Sequence, residues 1–246
     1  MQKKIMNTLI NYTFKDIKAD TTIVLLHGWG QNIEMMEPIS SKYEDKFNIL
    51  IIDLPGFGKS SEPPHSWTVY EYVECIKELI DYLKISKIIL IGHSFGGKLS
   101  LIYSSIHKVE KLVCLASPYC KEITKLPLKT RIYKFLKKVS CLKWLANIMQ
   151  NYIGSKDYKN ASSIMKGVLV KSVNIDLTED VKKIKCPTLL VWGTMDTAVP
   201  IKRAYELEKL IKDSGVIKYE GATHYAYLER LNHLITVLDF FFNIRR

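Results

Sequence analysis

The chain has 246 residues, enough for one large domain or two small ones around a substantial core. Its 47% hydrophobic and 25% charged residues make a globular balance, and no apolar run approaches the roughly 20 residues that cross a bilayer, so stable membrane insertion is excluded. A net charge of +11 admits anionic partners, but lysine far outnumbers arginine and nucleic-acid readers lean on arginine forks, so the expectation is a chain that binds no nucleic acid.

In chain order, Thr8 to Phe14 reads as an early strand and Thr22 to Leu26 as a buried one. Met35 to Tyr43 reads as a helix and Asn48 to Ile52 as another buried strand. Thr68-Val69-Tyr70-Glu71 has the form of a capping box, opening a helix that runs to about Leu83 with apolar residues at helical spacing. Ile88 to Ile91 is a short β-branched run that enters Gly92-His93-Ser94-Phe95-Gly96-Gly97, and a helix-like stretch follows at once. Lys111 to Leu115 is the next strand. From Pro118 to about Val173 the sequence is helical only, and the alternation then resumes. It continues with a strand at Thr188 to Trp192, a helix at Ile201 to Ile211, a strand at Gly215 to Tyr219 and a final helix. Strands alternating with helices predict an α/β fold, a mostly parallel β-sheet covered on both faces, with 118–175 as a helical lid insertion in a single domain spanning 1–246. The five cysteines, Cys75, Cys114, Cys120, Cys141 and Cys186, are scattered without a C-x-x-C pair, which argues against a zinc site or a disulfide framework. MQKKIMNTLINYTF has no secretion-signal core, so a reducing cytoplasm is the expected setting.

Two chemistries compete for the stretch from Gly92 to Leu99. G-x-S-x-G between a strand and a helix lifts Ser94 onto a sharp turn and points the first free amides of the helix at whatever Ser94 attacks. Gly92 to Lys98 also fits G-x-x-x-x-G-K, the opening of a phosphate-binding loop, although Leu99 stands where the Mg²⁺-binding hydroxyl belongs. A second G-K-S, Gly58-Lys59-Ser60, has Asp53 in place of the first glycine.

Ligands of such sheets bind beyond the carboxyl ends of the strands. The loops there read His27-Gly28-Trp29-Gly30, Asp53-Leu54-Pro55-Gly56-Phe57-Gly58-Lys59-Ser60, Ser94, Gly193-Thr194-Met195-Asp196 and Gly221-Ala222-Thr223-His224. A serine, an acid and a histidine occur in that order, each after a strand. On HGWG, DLPGFGKS, GHSFGG, GTMDTAVP and GATH the chain resembles the α/β-hydrolase fold superfamily, as a serine-nucleophile, lid-bearing, esterase-like member.

The resemblance implies a Ser94 nucleophile, a His224 base, an Asp196 orienting acid and oxyanion donors at the amides of Trp29 and Phe95, whose side chains also bind substrate. It implies no metal and no organic cofactor, with a small-molecule ester or acyl compound as the partner. The chemistry agrees: a serine hydroxyl needs a neighbouring imidazole to take its proton, and the imidazole needs an acid to fix its tautomer. Asp53 and Glu220 are the rival acids, and His27, His65, His93, His107 and His233 the rival bases. A nucleotide-binding P-loop explains neither HGWG nor GATH. A non-catalytic ligand-binding member of the fold, a carbon–carbon bond hydrolase and a haloperoxidase remain alternatives. From Leu128 to Met149 apolar residues fall on one helical face with lysines mostly elsewhere, which predicts an amphipathic lid whose basic face makes at most weak contact with an anionic surface.

Overall fold

The structure, a computed structural model, describes residues 1–121 and 156–244; the amphipathic stretch from Leu128 to Met149 lies outside the described residues. Among the described residues, eight strands form one sheet: β1 (Gln2–Ile5), β2 (Thr8–Lys15), β3 (Thr22–Leu26), β4 (Asn48–Ile52), β5 (Ile88–His93), β6 (Lys111–Leu115), β7 (Thr188–Gly193) and β8 (Ser214–Tyr219). Their order is β1-β2-β4-β3-β5-β6-β7-β8; the pairs β1–β2 and β2–β4 are antiparallel and every other pairing is parallel. Covering both faces explains the unbroken apolar runs. In β3, Val24 and Leu26 enter one core and Ile23 and Leu25 the other; β5 divides Ile88 and Leu90 from Ile89 and Ile91 in the same way.

Nine helical segments are described: α1 (Glu37–Ser40), α2 (Val69–Tyr82), α3 (Phe95–Ile106), α4 (Lys156–Asn160), α5 (Ser163–Asn174), α6 (Thr178–Val181), α7 (Lys202–Leu210), α8 (Ala226–Glu229) and α9 (Leu231–Phe241). At the start of α2, Thr68 Oγ1 accepts from the Glu71 amide, and the Glu71 carboxylate accepts from the Thr68 amide at 2.7 Å, completing the capping box. Where a helix from Met35 to Tyr43 is expected there is a 3₁₀ turn, Ile33–Met35, then the short α1 with Pro38 in its first turn. The strand β1 was not foreseen, because QKKI is short and half charged; it folds back on β2 through Met6 and Asn7, both at positive φ (44° and 60°). No helix of the described residues is long and apolar enough to cross a membrane.

Parallel pairing sets one functional edge. The carboxyl ends of β3, β4, β5, β6, β7 and β8 lie side by side, so loops far apart in sequence become neighbours there.

Candidate active site

Ser94 follows β5 directly and sits at φ 50°, ψ −110°, a backbone state that side chains with a Cβ rarely adopt. Close packing holds it there. Its amide donates to Leu115 O at 2.8 Å, and the Gly96 amide donates to His27 O at 3.0 Å. A Cβ on Gly96 would stand 2.3 Å from Leu26 O, and one on Gly97 would stand 1.7 Å from Ser117 Oγ. The glycines are therefore there to let α3 lie directly on β3 and on the loop after β6.

Asp196 and His224 meet, 28 residues apart, in the loops after β7 and β8. His224 Nδ1 lies 2.7 Å from Asp196 Oδ2. The other carboxylate oxygen accepts from the amides of Ala198 and Val199, each at 2.8 Å. A carboxylate only accepts, so the imidazole carries its proton on Nδ1 and leaves Nε2 bare, the tautomer a proton acceptor needs. The rival acids are accounted for otherwise. Asp53, 2% exposed, accepts from Asn11 Nδ2 and from the amides of Ile33 and Lys59, and Glu220 pairs with Lys218 on the surface. No hydrogen bond joins Ser94 Oγ to His224 among the described residues. What docks the His224 loop beside Ser94 is His93, whose Nε2 lies 3.1 Å from His224 O and whose ring is 4.9 Å from the His224 ring.

The loop after β3 closes the other side. The amides of Trp29 and Phe95 have no acceptor among the described residues, and their rings meet edge to face at 5.4 Å. Beside Trp29 is a cleft of about 330 Å³ bounded by Trp29, Phe57, Glu62, Ser162 and Met165; Ser94, Phe95 and His224 do not line it. Gln31, which no sequence signal singled out, braces this loop: its Oε1 accepts from the Gly28 amide at 2.8 Å and lies 3.1 Å from His93 Nδ1.

The phosphate-loop alternatives lose their geometry. Asp53's carboxylate fills the turn at Gly58 and Lys59, where an anion would have to sit, since a Cβ on Gly58 would stand 2.3 Å from Asp53 Cγ. Lys98 is buried and donates to Ser172 O at 2.6 Å. No cluster of metal-ligating side chains occurs among the described residues.

His27 and His93 are both buried, and a neutral His93 donates to only one of its two oxygen neighbours, His224 O and Gln31 Oε1. His27 Nδ1 pairs with Gly28 O at 2.7 Å while Nε2 accepts from the Leu54 amide at 3.0 Å, a pattern that needs the neutral ring. Burial pulls its pKa from the ordinary 6.5 to about 4, and burial together with the nearby His224 takes His93 to about 3. Both rings bind protons more readily in the unfolded chain, so their contribution is complete above pH 6.5 and is lost as pH falls toward 4. Between pH 7 and 4.5 each should withdraw on the order of 2–3 kcal/mol of stability. Urea unfolding at the two pH values checks this, and a midpoint unchanged at pH 4.5 would sink it.

A sequence profile of the alpha/beta hydrolase fold matches residues 21–137. The AB hydrolase superfamily protein YisY of Bacillus subtilis is 28% identical, over 90% of this chain and 92% of its own. A pimeloyl-[acyl-carrier protein] methyl ester esterase of Aliivibrio fischeri is 24% identical, over 90% of this chain and 93% of its own. Among solved structures, the enol-lactonase of Burkholderia xenovorans superposes with a TM-score of 0.76 at 21% identity, covering 98% of this chain and 99% of its own. With the sheet order and the turn at Ser94, these findings show that the chain has the α/β-hydrolase fold.

Proposed function

We propose that this protein hydrolyses a carboxylic ester, or a closely related acyl bond, of a small molecule through an acyl-enzyme on Ser94. The observation that carries the reading is the 2.7 Å pairing of His224 with Asp196 in a loop docked on the residue next to Ser94. The esterase named among the relatives supports the same bond type.

In this reading His224 Nε2 takes the Ser94 proton as Oγ attacks the substrate carbonyl. The oxyanion of the tetrahedral intermediate is met by the amides of Trp29 and Phe95, the donors left unused in the resting protein. As the intermediate collapses, the imidazolium returns the proton to the departing alkoxide, and the acyl group stays on Ser94. Water then repeats the sequence from the other side: His224 takes its proton, hydroxide attacks the acyl carbon, and Ser94 leaves with the proton restored. Neither metal nor organic cofactor enters any step. Residues 118–175 are read as a helical lid insertion into a single domain spanning 1–246, with Met165 of α5 forming part of one wall of the cleft.

A panel of p-nitrophenyl esters and anilides of increasing chain length, run beside a fluorophosphonate probe, tests this. The expected result is ester turnover together with a stoichiometric adduct on Ser94 by peptide mass spectrometry. A protein that takes the probe elsewhere or not at all, and turns over no ester, is a binding member of the fold.

A further inference from the structure

Lys98 stands four residues after Ser94 on α3, on the helix that the elbow launches. It is 3% exposed, and no carboxylate pairs with it among the described residues. Burial lowers its pKa to about 8, with a small opposing influence from Cys120. An ammonium group in such a place is retained only where something fixed receives it. Here the receiver is Ser172 O, 2.6 Å away, in the last turn of α5, where carbonyls lack helical N–H partners and the helix dipole is negative. Lys98 thus caps the C-terminal end of a helix from a distant part of the chain.

The opposite end of α5 is also fastened. Ser162 Oγ accepts from the Met165 amide at 3.1 Å and donates to Glu62 at 2.8 Å, while Ser66 Oγ donates to Ile164 O at 2.8 Å. Between the two fastenings, Met165 lies against Gly56 and Tyr72 and forms a wall of the cleft beside Trp29 and Phe57. A Cβ on Gly56 would stand 2.4 Å from Met165 Sδ, so a slip of α5 along its axis cannot leave that wall unchanged.

We propose that Lys98 is a positioning residue: its bond to Ser172 O sets the register of α5 against the helix that carries Ser94, and so the shape of the cleft that Met165 lines beside Trp29. The inference rests on the reading of Ser94 as the nucleophile. Lys98 touches no reacting atom and acts through α5 and Met165. A methionine of similar length would fill the space but would remove the tie that joins this helix end to the helix of Ser94, because dispersion contacts tolerate sliding where a hydrogen bond does not. The bonds of Lys171 to Ser66 O and of Lys121 to Asn174 would remain.

The test compares wild type with Lys98→Met at one end of α5, Ser162→Ala at the other, and the double variant. KM and kcat are measured on short and long p-nitrophenyl esters, and amide hydrogen exchange is measured along α5. Lys98→Met should raise KM for long esters about tenfold while kcat changes less than about threefold, and α5 amides should exchange at least about tenfold faster. The double variant should have a KM no worse than about twice that of the worse single variant, since one helix released at either end has lost its register.

Ser162→Ala alone should speed exchange near Met165 and spare the turn around Ser172, a comparison that stands even if Lys98→Met does not fold. Exchange that spreads in Ser162→Ala as far as Ser172 overturns the proposal, and so does an unchanged KM in a folded Lys98→Met, or KM effects that simply multiply. Wild type that neither hydrolyses esters nor takes fluorophosphonate overturns the reading of Ser94, and this inference with it; labelled wild type with an unchanged Lys98→Met overturns this inference alone.

Discussion

Replacement of Ser94 by alanine should lower ester turnover by about five to six orders of magnitude while the fold persists, because a nucleophile and its base act as a unit. The backbone at Ser94 adds a second, independent expectation. At φ 50° and ψ −110° any residue with a Cβ is strained, by about 1–3 kcal/mol. Alanine keeps that strain; glycine relieves it, and part of the gain is returned as extra freedom in the unfolded chain. Ser94→Gly should therefore be as inactive as Ser94→Ala yet more stable by about 1 kcal/mol, which for a chain of this size is roughly 2–4 °C in Tm. Calorimetry of the two inactive variants decides it. A glycine variant less stable than the alanine variant would mean that the turn is not strained, and near wild-type turnover in either would remove Ser94 from the chemistry.

That combination, a strained residue over-determined by its neighbours, explains why the centre of the site is legible in the sequence while its surroundings are not. Gly92, Gly96 and Gly97 declare a turn that needs close approach, and the strand before it and the helix after it are each continuous in pattern. Parallel strands with both faces covered read as plain apolar runs, so β3, β4, β5, β6 and β7 are visible at nearly their observed limits. The loops after them can then be brought to one edge by topology alone, and on this ground Asp196 and His224 can be paired without any knowledge of contacts.

Contacts made by single long side chains leave no such pattern. Gln31 is one polar residue after a glycine-rich loop, and nothing periodic marks it as the brace of Gly28 and His93. Lys98 is the sharper case. On sequence it passes for a residue of a first helical turn or the lysine of a phosphate loop, yet its surroundings come from α5, some seventy residues away, at |i−j| of 74. Asp53 misleads for the same reason: an acid after a strand suits catalysis, and only the three donors around it show that its charge is already taken up by the fold.

These two acids give the second large prediction, because their substitutions should fail in opposite ways. In Asp196→Asn the side-chain oxygen is claimed by the amides of Ala198 and Val199, which can only donate. The NH₂ group must then face His224 Nδ1, where it donates and forces the imidazole proton onto Nε2, against Ser94. That is the wrong tautomer for a base, and kcat should fall by about 10³–10⁴ with little change in Tm. In Asp53→Asn three donors compete for one acceptor oxygen, and an amide hydrogen is pressed against at least one of them in a site 2% exposed. Such a loss costs about 2–4 kcal/mol of stability, while kcat of the folded fraction should stay within about threefold of wild type. The folded fraction read by circular dichroism normalises each rate to folded protein, and thermal melts supply the other axis. If Asp196→Asn instead melts early and turns over normally when folded, while Asp53→Asn is stable and inactive, the acid of the site is Asp53 and the 2.7 Å pair at His224 is structural.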